Sequence, residues 1–391
     1  MDDNLNLLSR GIVNIIPNKD LLAKKLTSGE KLNVYLGIDP TATRIHLGHA
    51  VPLRILQKFA EMGHNVTFLI GDFTALIGDT SDKDTERPIL TSDQIEQNFK
   101  TYKEQASKIL DFSKVKVTHN SEWLSKLTFA EIVKLCQSFS FGEFASRELI
   151  KKRLTEGKKV GLHEAIYPVM QGYDSYFMDT DIQIGGADQT FNMQAGRVLQ
   201  KDLRDKESFV LATGYLTGTD GRKMSKSWGN AIWLDDTPSD MFGKIMSIED
   251  NLIIEYFTLA TSVPNEKIQE VVERLASKNP MILKKELAVR IVSELYSTED
   301  ALKASEEFQK TVQNKELPDN LVEYEVKSPT LILDFLIENN LVESKSDAKR
   351  LFQGGAIKFE KTPSQYESII IKSGILEYGK RKAVKLNFTG K

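Results

Sequence analysis

Two histidines three residues apart, in His46-Leu47-Gly48-His49, stand at the head of a segment with helical periodicity. From Leu47 to Met62 the apolar residues Val51, Ile55, Leu56, Phe59 and Ala60 keep helical spacing, and Gly63 stops the helix. The histidines therefore fall at a helix mouth, where free N–H groups and a partial positive charge favour phosphate. Gly48 lacks a β-carbon, so a nucleotide can lie close to the backbone. Both imidazoles can face one polyphosphate and donate to its oxygens as negative charge builds. Pro52 is read as falling in the first turn, where a missing N–H costs little. Upstream, Val34 to Ile38 is a short apolar run closed by Asp39-Pro40, and Val66 to Ile70 is another, so the stretch reads as a β-α-β unit. Four residues make a weak motif, and two polar histidines at a helix start explain this stretch equally well.

Three further clusters carry chemistry. Tyr167, Gln171 and Asp174 share one side of a helical stretch, Leu162 to Phe177. A solvated face is the plain alternative, but Ile166, Val169, Met170 and Tyr173 flank it and suggest burial, and a buried phenol, amide and carboxylate need partners. Asp79, after the second strand, is either a turn residue or an anion for a ligand ammonium. The strand Ile182-Gln183-Ile184 runs into Gly185-Gly186-Ala187-Asp188-Gln189, where an acidic residue suits a ribose hydroxyl. In Gly221-Arg222-Lys223-Met224-Ser225-Lys226-Ser227-Trp228-Gly229-Asn230, two lysines bracket Met-Ser on a glycine-flanked loop. Such a loop is either solvated or an arm whose ammonium groups neutralise pyrophosphate.

The elements that must position these groups follow from the rest of the chain. Its 391 residues, 27% charged and 40% hydrophobic, suit a globular protein with more than one domain. Residues 1–33 read as one or two helices and 81–88 as a polar loop. A helical insertion spans about 91–160, opening on a capping box at Thr91 and holding a short strand, Val115 to Val117. Its lone cysteine, Cys136, lies in a helical pattern and reads as a packed thiol; no disulfide or thiolate metal site is expected. Residues 239–325 read as helical, with Leu275, Leu287, Ile291, Leu295, Leu302 and Phe308 as core positions and a linker over Glu316–Asn320. Residues 326–391 read as a small basic module of two helices and a sheet, with 11 Lys/Arg against 7 Asp/Glu from 328 on, which suggests RNA. The acidic, polar start shows no secretory signal, and no apolar run approaches the roughly 20 residues of a membrane span.

With these blocks in this order, the chain resembles the tyrosyl-tRNA synthetases, a class I aminoacyl-tRNA synthetase family. His46-Leu47-Gly48-His49 is similar to the family's HIGH motif and Lys223-Met224-Ser225-Lys226-Ser227 matches KMSKS. Tyr35-x-Gly37-x-Asp39-Pro40-Thr41, Tyr167-x-x-x-Gln171-x-x-Asp174 and Gly185-Gly186-x-Asp188-Gln189 resemble its tyrosine-specific blocks. Ile38, Ala187 and Thr80 depart from the usual residues. The resemblance implies an α/β fold: a Rossmann-like parallel-sheet catalytic domain over 1–238 with a helical insertion, an α-helical anticodon-side domain over 239–325, and a small ribosomal-protein-like RNA-binding domain over 326–391.

The same resemblance implies activation of tyrosine by ATP and transfer to the 3′ end of tRNA(Tyr). Thr41, His46, His49, Lys223 and Lys226 would be catalytic. Tyr35, Asp79, Tyr167, Gln171, Asp174 and Gln189 would bind tyrosine, and Asp39, Gly48, Gly186, Asp188 and Ser227 would bind ATP. Magnesium would accompany ATP with no dedicated protein cage, and a cytoplasmic homodimer with no membrane partner is expected. The carboxylate nucleophile is already ionised, which accounts for the lack of a nucleophile–base triad. A site that hydrogen-bonds the phenol leaves its groups unpaired when phenylalanine binds; this enzyme type is the standing illustration, with about 10⁵ discrimination quoted for it. The rivals are tryptophanyl-tRNA synthetases, small nucleotidyltransferases with His-x-Gly-His, and a non-catalytic RNA-binding relative.

Overall fold

The computed structural model of the chain describes residues 7–79, 90–313, 321–342, 344–379 and 382–390. The acidic start, Thr80, the loop over 81–88 and the linker Glu316–Asn320 lie outside the described residues. Contacts divide the chain into two units, 1–301 and 302–391. That boundary falls inside the helical region read over 239–325.

The first unit is built on six strands: β1 (Ile12–Ile16), β2 (Asn33–Ile38), β3 (Asn65–Ile70), β4 (Val115–His119), β5 (Ile182–Gly186) and β6 (Phe209–Thr213). They lie in the order β1-β6-β5-β2-β3-β4. Five run parallel, and β1 pairs antiparallel with β6 at one edge. The inner strands are apolar almost throughout, with Val34, Leu36, Phe68, Ile70, Ile184 and Leu211 all buried, as a sheet covered on both faces requires. The helices used below are α1 (Leu47–Glu61), α2 (Ser92–Ala106), α3 (Leu162–Phe177), α4 (Thr190–Arg204) and α5 (Pro280–Leu295). From β2 the chain passes through α1 to β3 on one side, while β5 lies on the other side of β2. This reversal opens a crevice at the carboxyl ends of β2 and β5.

Several expectations change. Among the described residues up to 33, the helix Lys19–Thr27 is joined by a strand, β1, whose β-branched run Ile12-Val13-Asn14-Ile15-Ile16 finds its partner about 200 residues later. The strand at 115 is not part of a separate helical insertion. It is the sheet edge β4, so α2 and β4 continue the β-α-β rhythm and the departure starts after Asn120. An edge strand exposes one face, and Lys116 on that face shortened its apolar signature. Pro52 lies beyond the first turn of α1, where it removes the N–H that would bond the Gly48 carbonyl. The helix tolerates it because Val51, Leu53, Leu56 and Phe59 are buried around it. Leu302 is 53% exposed and not a core position; Ala301, Ala304 and Ser305 form the buried side of Thr298–Phe308.

The start of α3 is held by a buried ion pair. Arg153 donates to both Glu164 oxygens, at 2.7 and 3.0 Å, and the Gly161 N–H donates to Glu164 at 2.8 Å. Their side chains are 2% and 0% exposed. Arg153→Leu is expected to cost about 3–5 kcal/mol in denaturant unfolding, since it strands a buried carboxylate. Lys58→Ala, at an exposed pair with Glu61, is expected to cost under about 1 kcal/mol. On the far side of the unit, Arg54 of α1 meets Glu294 of α5 at 2.7 Å, so the later helices brace the helix that bears the histidines.

In the second unit Val322–Val326 runs parallel to Ala383–Phe388, followed by Gly374–Tyr378, Ile357–Phe359 and Thr362–Pro363, all antiparallel. Helices Ile332–Glu338 and Lys345–Gln353 are the two helices read in this segment. Phe335, Leu336, Ile357, Leu376 and Leu386 form its core.

Candidate active site

The parallel strands end at one cavity of about 930 Å³, and every candidate site residue named above lines it. Thr41, Gly48, Gly186 and Ser227 contribute wall; the others form two polar ends.

At one end α3 presents Tyr167, Gln171 and Asp174 toward β2. The Asp174 carboxylate is 2% exposed. It accepts from the Trp123 indole N–H at 2.7 Å and the Asn120 amide at 3.1 Å. Burial pushes Asp174 up to about 8, against the pull of those two bonds. Tyr35 donates to Gln183 Oε1 at 3.0 Å, and β2 and β5 place these two residues side by side. Burial, and then the charge of Asp174, push the Tyr35 phenol well up. Asp39 follows β2 and accepts from the Tyr167 hydroxyl at 2.9 Å and from Thr74 at 2.8 Å. A β-carbon at Gly71 would sit 2.0 Å from that Asp39 carboxylate, so the end of β3 has to be glycine. Gln189 donates to Asp79 at 2.8 Å, and Asn192 donates to Gln189 at 3.1 Å.

At the other end His46 stands at the N-cap of α1 and its backbone N–H donates to His49 Nδ1 at 3.4 Å, with ring centroids 3.8 Å apart. Lys223 meets Asp188 at 3.1 Å, and Lys226 donates to the Tyr102 hydroxyl of α2. Burial, then the ammonium groups of Lys226 and Lys223, hold His46 down to about 3. Burial, then the His46 ring, hold His49 well below its usual range. Both imidazoles are therefore neutral near pH 7. They offer hydrogen bonds, and the lysines offer charge. In the unfolded chain each binds a proton near 6.5. The unfolded state thus binds more protons below that pH, and stability falls as pH drops from about 6.5 toward 3. Denaturant midpoints at pH 7.5 and 5 are expected to differ less in His46→Gln than in the parent chain.

The sequence matches the family profile described as tRNA synthetases class I (W and Y) over residues 27–313. It is 42% identical to a tyrosine–tRNA ligase of Carboxydothermus hydrogenoformans, over 98% of this chain and 97% of that one. A tyrosine–tRNA ligase of Thermotoga maritima is 38% identical over 99% and 98%. The chain belongs to the tyrosine–tRNA ligase family of class I tRNA synthetases. The fold is shared with solved structures: a C-terminally truncated mitochondrial tyrosyl-tRNA synthetase of Aspergillus nidulans (TM-score 0.67, 22% identity, 78% of this chain, 93% of that one). A tyrosyl-tRNA synthetase of Archaeoglobus fulgidus complexed with L-tyrosine matches with TM-score 0.61 and 23% identity, over 78% and 100%.

The family motifs do not name all the polar groups in this synthetase's cavity. Asn120, Trp123, Thr74, Gln183, Asn192 and Tyr102 join the site through the bonds above. Gln183 carried a signal, since a lone amide inside the buried strand Ile182–Ile184 needs a partner. Asn120 and Tyr102 carried none, because their neighbours in the site come from distant parts of the chain. His64 accepts from the Leu32 N–H at 3.3 Å, and His119 sits edge-on to Phe99 at 4.8 Å; both are packing positions. Cys136 packs beside Leu135, Val169 and Leu199, and burial raises its thiol.

Proposed function

We propose that the chain activates L-tyrosine with ATP and transfers it to the 3′ end of tRNA(Tyr), in the cavity described above. The tyrosine carboxylate attacks the α-phosphorus; a P–O bond forms, the bond to the β-phosphate breaks, and pyrophosphate leaves. A terminal ribose hydroxyl of the tRNA then takes the tyrosyl group and AMP departs. The phenol lies against Asp174 and Tyr35, and the ammonium against Asp79, Tyr167 and Gln171. Gln189 meets the carboxylate end. Asp39, joined to Tyr167, stands at the seam with ATP, whose ribose meets Asp188. Thr41, His46 and His49 hold the phosphates with neutral donors, while Lys223 and Lys226 neutralise the leaving group.

The observation that carries this reading is the gathering of a phenol-reading carboxylate and the histidine and lysine motifs around one cavity. Amino-acid-dependent ATP–pyrophosphate exchange tests it: tyrosine should support exchange, with tryptophan and phenylalanine lower by at least about 10³-fold. Equal exchange with tryptophan would move the chain to the tryptophan branch, and tRNA binding without aminoacylation would make it non-catalytic.

Magnesium enters with ATP; among the described residues no group of three or more His, Cys, Asp or Glu side chains is placed to hold a metal. A homodimer through the region after β4 is supported by Phe129, Phe141, Leu162 and Phe177, which are 50–82% exposed. Monomer mass in sedimentation would exclude it. The basic 326–391 segment serves tRNA; its removal should spare exchange and weaken charging, and equal loss of both would point to a folding role. A cytoplasmic setting suits these partners, and fractionation of the source cells checks it.

A further inference from the structure

The lysines of the catalytic loop work only if the backbone that carries them is held over the cavity. Residues 216–224 turn back on themselves, and Met224 is buried. The Met224 N–H donates to Leu216 at 2.9 Å, and Thr217 bridges Lys223. One side chain ties the rest. Asn230 is 2% exposed. Its amide donates to Asp220 Oδ1 at 2.7 Å and to the Lys223 carbonyl at 3.1 Å. Its carbonyl oxygen accepts from the Ser225 N–H at 3.0 Å, and its backbone carbonyl accepts from the Thr219 N–H at 3.1 Å. Asp220 in turn accepts from the Arg222 backbone at 3.1 Å and side chain at 2.8 Å.

We propose that Asn230 is a positioning residue of adenylate formation: its carboxamide ties the Lys223 carbonyl and the Ser225 N–H to the Asp220 side chain and so aims Lys223 and Lys226 into the cavity. Lys223 donates to Asp188, which lines the cavity, and Lys226 donates to the hydroxyl of the buried Tyr102. This inference rests on the proposed role of the two lysines.

The chemistry requires asparagine. Two donor hydrogens and one acceptor must sit on a short side chain. Aspartate would set a carboxylate against Asp220 and the Lys223 carbonyl. Glutamine is a methylene too long for this space, since the Asn230 amide lies 2.5 Å from where a β-carbon on Gly218 would stand. The hydrogen bond from Asn230, and then those from Arg222, hold the Asp220 carboxyl down to about 2.

The test uses the full chain, with ATP–pyrophosphate exchange, tyrosine affinity, melting temperature, and trypsin cleavage after Arg222, Lys223 and Lys226. Asn230→Asp is expected to lower the exchange kcat about 30-fold, with tyrosine affinity within about 2-fold, since a lost alignment acts in the transition state and not on the distant amino-acid pocket. Cleavage after those three residues should quicken about 10-fold, as local order is lost. Asp220→Ala removes one tie from the exposed side and cannot threaten the fold; it should lower kcat about 3- to 5-fold. Combining Asp220→Asn with Asn230→Asp restores a donor–acceptor pair between the two positions and should recover part of the loss, while a fall in kcat with tyrosine affinity held is what a merely structural role would not predict.

Should Asn230→Asp and Asp220→Ala both exchange within about 2-fold of the parent chain, while Lys226→Ala abolishes exchange, the positioning role is wrong and the lysine role stands. If Lys226→Ala itself is harmless, the lysine assignment fails first. An Asn230→Asp chain too unstable to assay leaves the decision to Asp220→Ala.

Discussion

Lys226→Ala is expected to lower tyrosine-dependent ATP–pyrophosphate exchange by about 10²–10³-fold, and to leave tyrosine affinity within about 2-fold. The size follows from how the cavity divides its labour. His46 and His49 are held neutral by burial and by the lysines themselves, so they cannot offset the charge that builds on the leaving pyrophosphate. The ammonium groups must do so; Lys226 lines the cavity and donates to the Tyr102 hydroxyl, while Asp174 is held by Trp123 and Asn120. Loss of this one cation removes a charge-assisted contact made as the P–O bond breaks. Lys226→Arg keeps the charge but not the compact reach, and should recover only part of the rate. Stopped-flow or exchange kinetics beside equilibrium tyrosine binding separate the effects. Unchanged exchange would refute the assignment.

Asp174→Asn has the second large effect, and it falls on specificity. In the chain as it stands, both carboxylate oxygens accept N–H groups, one from Trp123 and one from Asn120. An amide at this position turns one acceptor into a donor aimed at another donor. The phenol of tyrosine then loses its acceptor, and a buried N–H is stranded. Tyrosine kcat/KM should drop by about 10²-fold or more, and the preference over phenylalanine should shrink toward the roughly 10²-fold that a pocket sorting on shape alone achieves. Tyr35→Phe should be milder, about 10-fold, since the Tyr35 hydroxyl already spends its hydrogen on Gln183. Exchange assays with both amino acids read these changes directly. A variant at Asp174 that still rejected phenylalanine would show that another group reads the phenol.

Which residues line the cavity was largely readable in the sequence, because the motifs are local. A strand, a turn and a helix mouth place His46 and His49; steps of four and three place Tyr167, Gln171 and Asp174 on one side of α3. How those residues are held was not readable. Asn120 steadies Asp174 across 54 positions of sequence, Gln183 meets Tyr35 across 148, and Tyr102 meets Lys226 across 124. Side chains that act through a neighbour leave no spacing rule behind. The same holds for β1 and β4, which become strands only by pairing with β6 and β3, and for Leu302, whose exposure depends on which side of its helix is covered.

Sequence alone therefore carried the family motifs whose resemblance implies the reaction class, and helix and strand periods, which act over a few residues, grouped the polar side chains that line the cavity. Only the tertiary structure decided the neutral state of the histidines, the double grip on Asp174 and the knot at Asn230. Burial and charge proximity are properties of space, and they arise where distant segments close on one another.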